Sequence, residues 1–86
     1  GRFWEIDIIA LINWMTVFIE VKYRTNLKYW TPEEAITKYK LRKFKKTIEY
    51  YVAKNHLDFE KIRFDVITIL KETKSHKVTH YKNLEI

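Results

Sequence analysis

Val17-Phe18-Ile19-Glu20-Val21-Lys22 is apolar except at Glu20 and Lys22, which stand two residues apart. Side chains alternate across a strand, so these two charges project from one face. Upstream, the apolar run Ile6 to Leu11 is interrupted in the same way at Asp7. Residues 4–11 and 15–24 are rich in β-branched and aromatic side chains and read as strands. Ile12-Asn13-Trp14 is short enough to join them as a hairpin. In that pairing Asp7, Glu20 and Lys22 converge on one point.

A helix start follows. Thr31 is a natural N-cap, Pro32 suits the first helical position, and Glu34 completes a capping box. The spacing predicts a helix running to about Lys54. Ile36, Leu41, Phe44, Ile48, Tyr51 and Val52 fall in one arc of about 160°, with Lys38, Arg42, Lys45, Lys46 and Glu49 opposite. Residues 62–70 are apolar except at Arg63, Asp65 and Thr68. Such a run suits a central strand buried on both faces. The helix before it makes a β-α-β crossover, which predicts that strands 15–24 and 62–70 are parallel. Residues 71–77 read as a polar turn and 78–86 as a short edge strand. The expected fold class is α/β: a mixed sheet with a long amphipathic crossover helix.

The chain of 86 residues is one domain, 1–86, without repeats or low-complexity segments. A chain of this size buries roughly 60–65% of its unfolded surface. With 47% hydrophobic residues, one Gly and one Pro, it is a packing sequence and not a disordered one. It has no cysteine, which excludes disulfides and thiolate metal sites. No apolar run approaches the roughly 18 residues of a membrane span, and no secretory signal is read at the start. The expectation is a cytoplasmic protein without membrane contact. The net charge of +6 suits a polyanionic partner, nucleic acid above all.

An Asp, a Glu and a Lys meeting on two paired strands is the D…ExK arrangement of metal-dependent nucleases. Carboxylate oxygens hold a hard cation such as Mg²⁺ or Mn²⁺, and the lysine serves the attacking water. Asp7 and Glu20 are the candidate metal ligands, joined by the backbone carbonyl of Val21. Lys22 completes the catalytic set. Glu5 shares the face of Asp7 and could support or replace it. The plainer reading is a Glu-Lys pair that solvates a strand surface; the residues alone leave the two evenly balanced.

Lys38, Lys40, Arg42, Lys43, Lys45 and Lys46 place six cations in nine residues without an intervening acid. Salt bridges along the helix therefore do not explain them, and contact with a phosphate backbone does. Lys40 falls inside the apolar arc. It either reaches toward the metal site or snorkels with a buried stem. Arg24, with Tyr23, Tyr29 and Trp30, either lines a nucleic-acid cleft or packs locally. His56, His76 and His80 lack metal-ligand spacing and read as surface residues. Asp65 reads as the ion-pair partner of Arg63.

In order along the chain, Glu5-Ile6-Asp7, Phe18 to Lys22, Arg24, Pro32 with Ala35, Lys40, Arg63-Phe64-Asp65-Val66 and His80 with Asn83 resemble the YraN-like family of predicted endonucleases. That family belongs to the restriction-endonuclease-like PD-(D/E)xK superfamily and is related to archaeal Holliday junction resolvases. The resemblance implies a restriction-endonuclease-like core, metal-dependent phosphodiester cleavage, and Asp7, Glu20 and Lys22 as the active-site motif. It also favours a functional Lys40. In family members an N-terminal helix and a first strand precede the segment corresponding to Glu5-Ile6-Asp7. Here that segment lies near Gly1, so the expected core lacks the helix and the chain reads as a truncated fragment. One sheet face would then be bare unless a homodimer or partner covers it. The hairpin tip carries Asn13-Trp14 where the family has acidic and glycine residues. The function expected is an endonuclease acting on nucleic acid, branched DNA included. Two alternatives stay open: a non-catalytic nucleic-acid-binding module of the same fold, and a protein-interaction or dimerisation domain.

Overall fold

Four strands form one mixed sheet in the order β1-β2-β3-β4, with a single α-helix packed on it among the described residues. The computed structural model describes residues 6–25 and 38–85, and of 38–40 the backbone alone. The strands are β1 (Ile8–Ile12), β2 (Met15–Arg24), β3 (Ile62–Lys71) and β4 (His76–Tyr81). The helix is α1 (Lys38–Lys54).

β1 and β2 pair antiparallel, with Ile8 opposite Ile19 and Ile12 opposite Met15. Two residues, Asn13 and Trp14, make the turn, both at positive φ (49° and 66°). That is the signature of the primed turns that match the twist of a hairpin. β2 and β3 are parallel, with Phe18 opposite Phe64 and Glu20 opposite Val66. β4 closes the other edge, antiparallel to β3. The hairpin, the parallel crossover and the central place of β3 follow the sequence expectation, because each was carried by a strong apolar pattern.

The core lies between α1 and one sheet face. Phe44, Ile48 and Val52 of α1 pack with Phe18, Phe64 and Val66. Phe44 meets Phe64 with ring centroids 5.7 Å apart, and Tyr51 meets Phe18 edge-on at 5.5 Å. The helix ends in a Schellman motif. His56 at φ 54° donates to the Ala53 carbonyl, Leu57 donates to that of Val52, and Leu57 packs on the core.

The helix is described over 17 residues, Lys38–Lys54, and ends where the spacing predicts. Its packing residues run from Leu41 to Val52, and burial of an apolar stripe holds a helix more firmly than capping does. The capping residues Thr31, Pro32 and Glu34 lie outside the described residues. The expectation of a bare opposite face holds at its edges and not at its centre. Val17 and Ile19 point to that face and are buried, while its edge residues Ile8, Tyr23 and Val78 are exposed. The centre of the face is closed, and β3 places Arg63 and Asp65 there, in register with Val17 and Ile19.

Candidate functional site

The hairpin register sets the site. Asp7 lies one step past the Ile8–Ile19 pair, opposite Glu20, on the face that α1 covers. Its Oδ2 accepts a 2.8 Å hydrogen bond from the backbone amide of Val21. Glu20 is buried, at 8% exposure, because the apolar residues around it on β2 and β3 form the core. Lys22, on the same face, places its Nζ 3.2 Å from Glu20 Oε2. The three residues singled out by spacing are therefore brought together.

Glu20 Oε1 is buried and has no hydrogen-bond partner among the described residues. A buried carboxylate oxygen without a donor is costly. Burial first, and then the neighbouring Asp7 carboxyl, push the Glu20 pKa up to about 7, against the opposing pull of Lys22. One lysine, on Oε2 alone, does not offset burial and a second carboxyl beside it. The donor set, two carboxylates with a backbone carbonyl alongside, is hard and oxygen-only, which suits Mg²⁺ or Mn²⁺. The residues present therefore fit a divalent cation. Among the described residues, no group of three or more acids and histidines is gathered that could hold a metal. Glu5 lies outside the described residues.

The basic residues occupy a different surface. Arg42, Lys45 and Lys46 are exposed on the outer side of α1, and Lys43 is half-buried. Arg24 is exposed at the end of β2. Lys38 and Lys40 belong to the first turn of α1, and their side chains lie outside the description. Tyr29 and Trp30 lie outside the described residues, while Tyr23 is exposed, its hydroxyl 3.4 Å from His76 Nε2.

A second polar cluster sits on the opposite face. Asp65 is fully buried and receives Arg63 Nε and Nη2 at 2.9 Å each, with the Asn83 amide at 2.9 Å. His80 Nε2 lies 2.7 Å from its Oδ2 and must be the donor, since a carboxylate only accepts. Burial alone would raise the Asp65 pKa; the hydrogen bonds from Arg63, Asn83 and His80 outweigh it and hold the carboxyl below its usual range. The Arg63–Asp65 pair was legible in sequence. His80 is exposed, as a surface histidine should be, but its bond to Asp65 was not legible in sequence. The i, i+2 position relative to Val78 on an edge strand was the available signal, and it becomes meaningful only once β4 is in register with β3.

The model of uncharacterised protein family UPF0102 matches residues 1–69. The chain belongs to this family. A UPF0102 protein of Lachnoclostridium phytofermentans is 50% identical over 72 residues, covering 83% of this chain and 61% of the relative. One from Flavobacterium psychrophilum is 38% identical over 79 residues, covering 92% and 66%. One from Persephonella marina is 39% identical over 83 residues, covering 96% and 68%. The chain thus spans about two thirds of the length of these UPF0102 relatives. Their names state no activity. No solved structure matches the chain. No described helix is long and apolar enough to cross a membrane.

Proposed function

We propose that this chain carries the core of a divalent-metal-dependent endonuclease, of restriction-endonuclease-like type, that hydrolyses phosphodiester bonds in nucleic acid. The observation that carries the reading is Glu20: a buried carboxylate with one oxygen on Lys22, the other without a donor, and Asp7 beside it. The sequence resemblance to the YraN-like endonucleases supports the same reading.

Asp7, Glu20 and the Val21 carbonyl would hold Mg²⁺ or Mn²⁺, which supplies Lewis acidity toward a phosphate oxygen and a more acidic bound water. The chain's own residues do the rest. The Val21 amide fixes Asp7 through Oδ2 and holds its carboxyl beside Glu20. Lys22 fixes Glu20 and brings a positive charge to where negative charge grows on the phosphorus centre. Arg24 and the outer side of α1 attract and align the phosphate backbone. The resemblance assigns no substrate structure, branched DNA being one candidate, and a cytoplasmic location goes with the reading. The alternative of a non-catalytic nucleic-acid module is favoured by one observation, the pairing of only two described acids at the site.

The test is cleavage of labelled four-way junction, linear duplex and single-stranded DNA in Mg²⁺ and in Mn²⁺, beside calorimetric titration of Mn²⁺. Lys22→Ala should abolish cleavage and keep Mn²⁺ binding, and Glu20→Gln should lose both. A folded protein that binds DNA, takes up no Mn²⁺ and cleaves nothing is a binding module.

A further inference from the structure

Trp14 is held where a tryptophan does not belong. Its φ of 66° is in the left-handed region, where a side chain crowds the backbone and glycine is the usual occupant. Asn13, at 49°, is a residue that tolerates such a turn; Trp14 is not. The indole gains little from burial in return, since Trp14 is 83% exposed. Strain kept at an exposed aromatic points to a surface that is used.

The approach to Trp14 is also exposed. Ile9 and Leu11 share the face of Asp7 on β1, at 41% and 70% exposure. α1 packs on Phe18 of β2 and Phe64 of β3, and among the described residues β1 is an edge strand of the sheet. An apolar track therefore leads from Asp7 to the hairpin tip. At the rise of a strand it is roughly 20 Å long. Duplex DNA covers that distance in about six base pairs.

The chain carries a net charge of +6. A protein so charged repels a second copy of itself and attracts a polyanion. A flat, exposed indole on a cationic protein is suited to stacking on a nucleobase; inside a duplex the base faces cover one another, whereas each unpaired base offers its own.

We propose that Trp14 is a substrate-binding residue that stacks on an unpaired nucleobase, so that the preferred substrate carries single-stranded nucleotides some 20 Å from the Asp7–Glu20–Lys22 site. This deepens the nuclease reading and rests on it. Duplex would still be held through its phosphates, but without the stack.

The experiment is fluorescence anisotropy of a short labelled single strand and of a blunt duplex, in EDTA so that nothing is cleaved. Wild type, Trp14→Gly and Trp14→Phe are compared over a range of salt. Glycine is the residue this turn accepts best, so that variant keeps its fold. Trp14→Gly should weaken single-strand binding about tenfold, and Trp14→Phe should restore most of it. Duplex affinity and the salt dependence should stay unchanged. Equal binding of the single strand by wild type and Trp14→Gly overturns the assignment of Trp14 and leaves the nuclease reading intact. Wild type that binds neither DNA overturns both. A dimer of wild type that Trp14→Gly converts to monomer in sedimentation gives the tip to a contact between copies and overturns the proposal.

Discussion

Asp7 Oδ2 accepts a 2.8 Å hydrogen bond from the amide of Val21, the residue that separates Glu20 from Lys22. The bond extends the β1–β2 pairing by a side chain, one step past the last backbone pair. It also sets the Asp7 carboxyl against Glu20, whose ionisation it opposes after burial has already done so.

Asp7→Asn keeps an acceptor for the Val21 amide and removes the charge. The Glu20 pKa should therefore fall below about 7 while the hairpin stays paired. Carbon-13 titration of the Glu20 carboxyl measures this. An unchanged midpoint would mean that burial alone raises it.

Glu20 also makes stability depend on pH. Its folded pKa, about 7, lies above the ordinary 4.5, so the folded state binds the proton more tightly. The stability this gives is fully present below 4.5 and is lost as pH rises through about 7. In EDTA, Glu20→Gln should overtake the wild type between these limits, by on the order of 2 kcal/mol at pH 8. Urea denaturation at several pH values checks the sign.

Asp65 behaves in the opposite sense. Its pKa is held below the ordinary 3.8, so its contribution is present above that value and is lost as pH falls through the folded one. Asp65→Asn should cost about 3 kcal/mol at neutral pH, because Arg63 loses its buried partner. The substitution should also remove part of the acid-induced loss. Hydrogen exchange should quicken first in β4 and at Asn83 and Leu84, whose amides bond to Asp65 and Phe64.

Arg42, Lys45 and Lys46 should bind phosphates without touching the site. Replacing all three by alanine should lower the slope of log affinity against log salt by about 2–3 for duplex DNA. Binding of Mn²⁺ should be unchanged, since Glu20 and Lys22 lie under the helix and not on its outer side.

Trp14→Gly should raise stability by about 0.5–1 kcal/mol, since glycine meets the positive φ without crowding. His56→Gly should do the same at the end of α1. Thermal denaturation of each variant decides. A loss in either case would mean that the side chain contributes contacts worth more than the strain.

The sequence by itself determined the order of the strands, their hairpin and parallel pairing, and the face shared by Asp7, Glu20 and Lys22, but not the bounds of the last strand, predicted over 78–86 and found at His76–Tyr81. Those features follow from alternation and from apolar runs, which are local properties of the chain. Only the tertiary structure decided that Glu20 Oε1 is left without a donor, since that depends on how deeply the core encloses one carboxylate. It also decided that His80 and Asn83, 15 and 18 residues beyond Asp65, complete its hydrogen bonds. Their meeting depends on the register of β4 on β3 and on the chain's return after it. No local pattern encodes a partner so far along the chain; burial selects it once the sheet has formed.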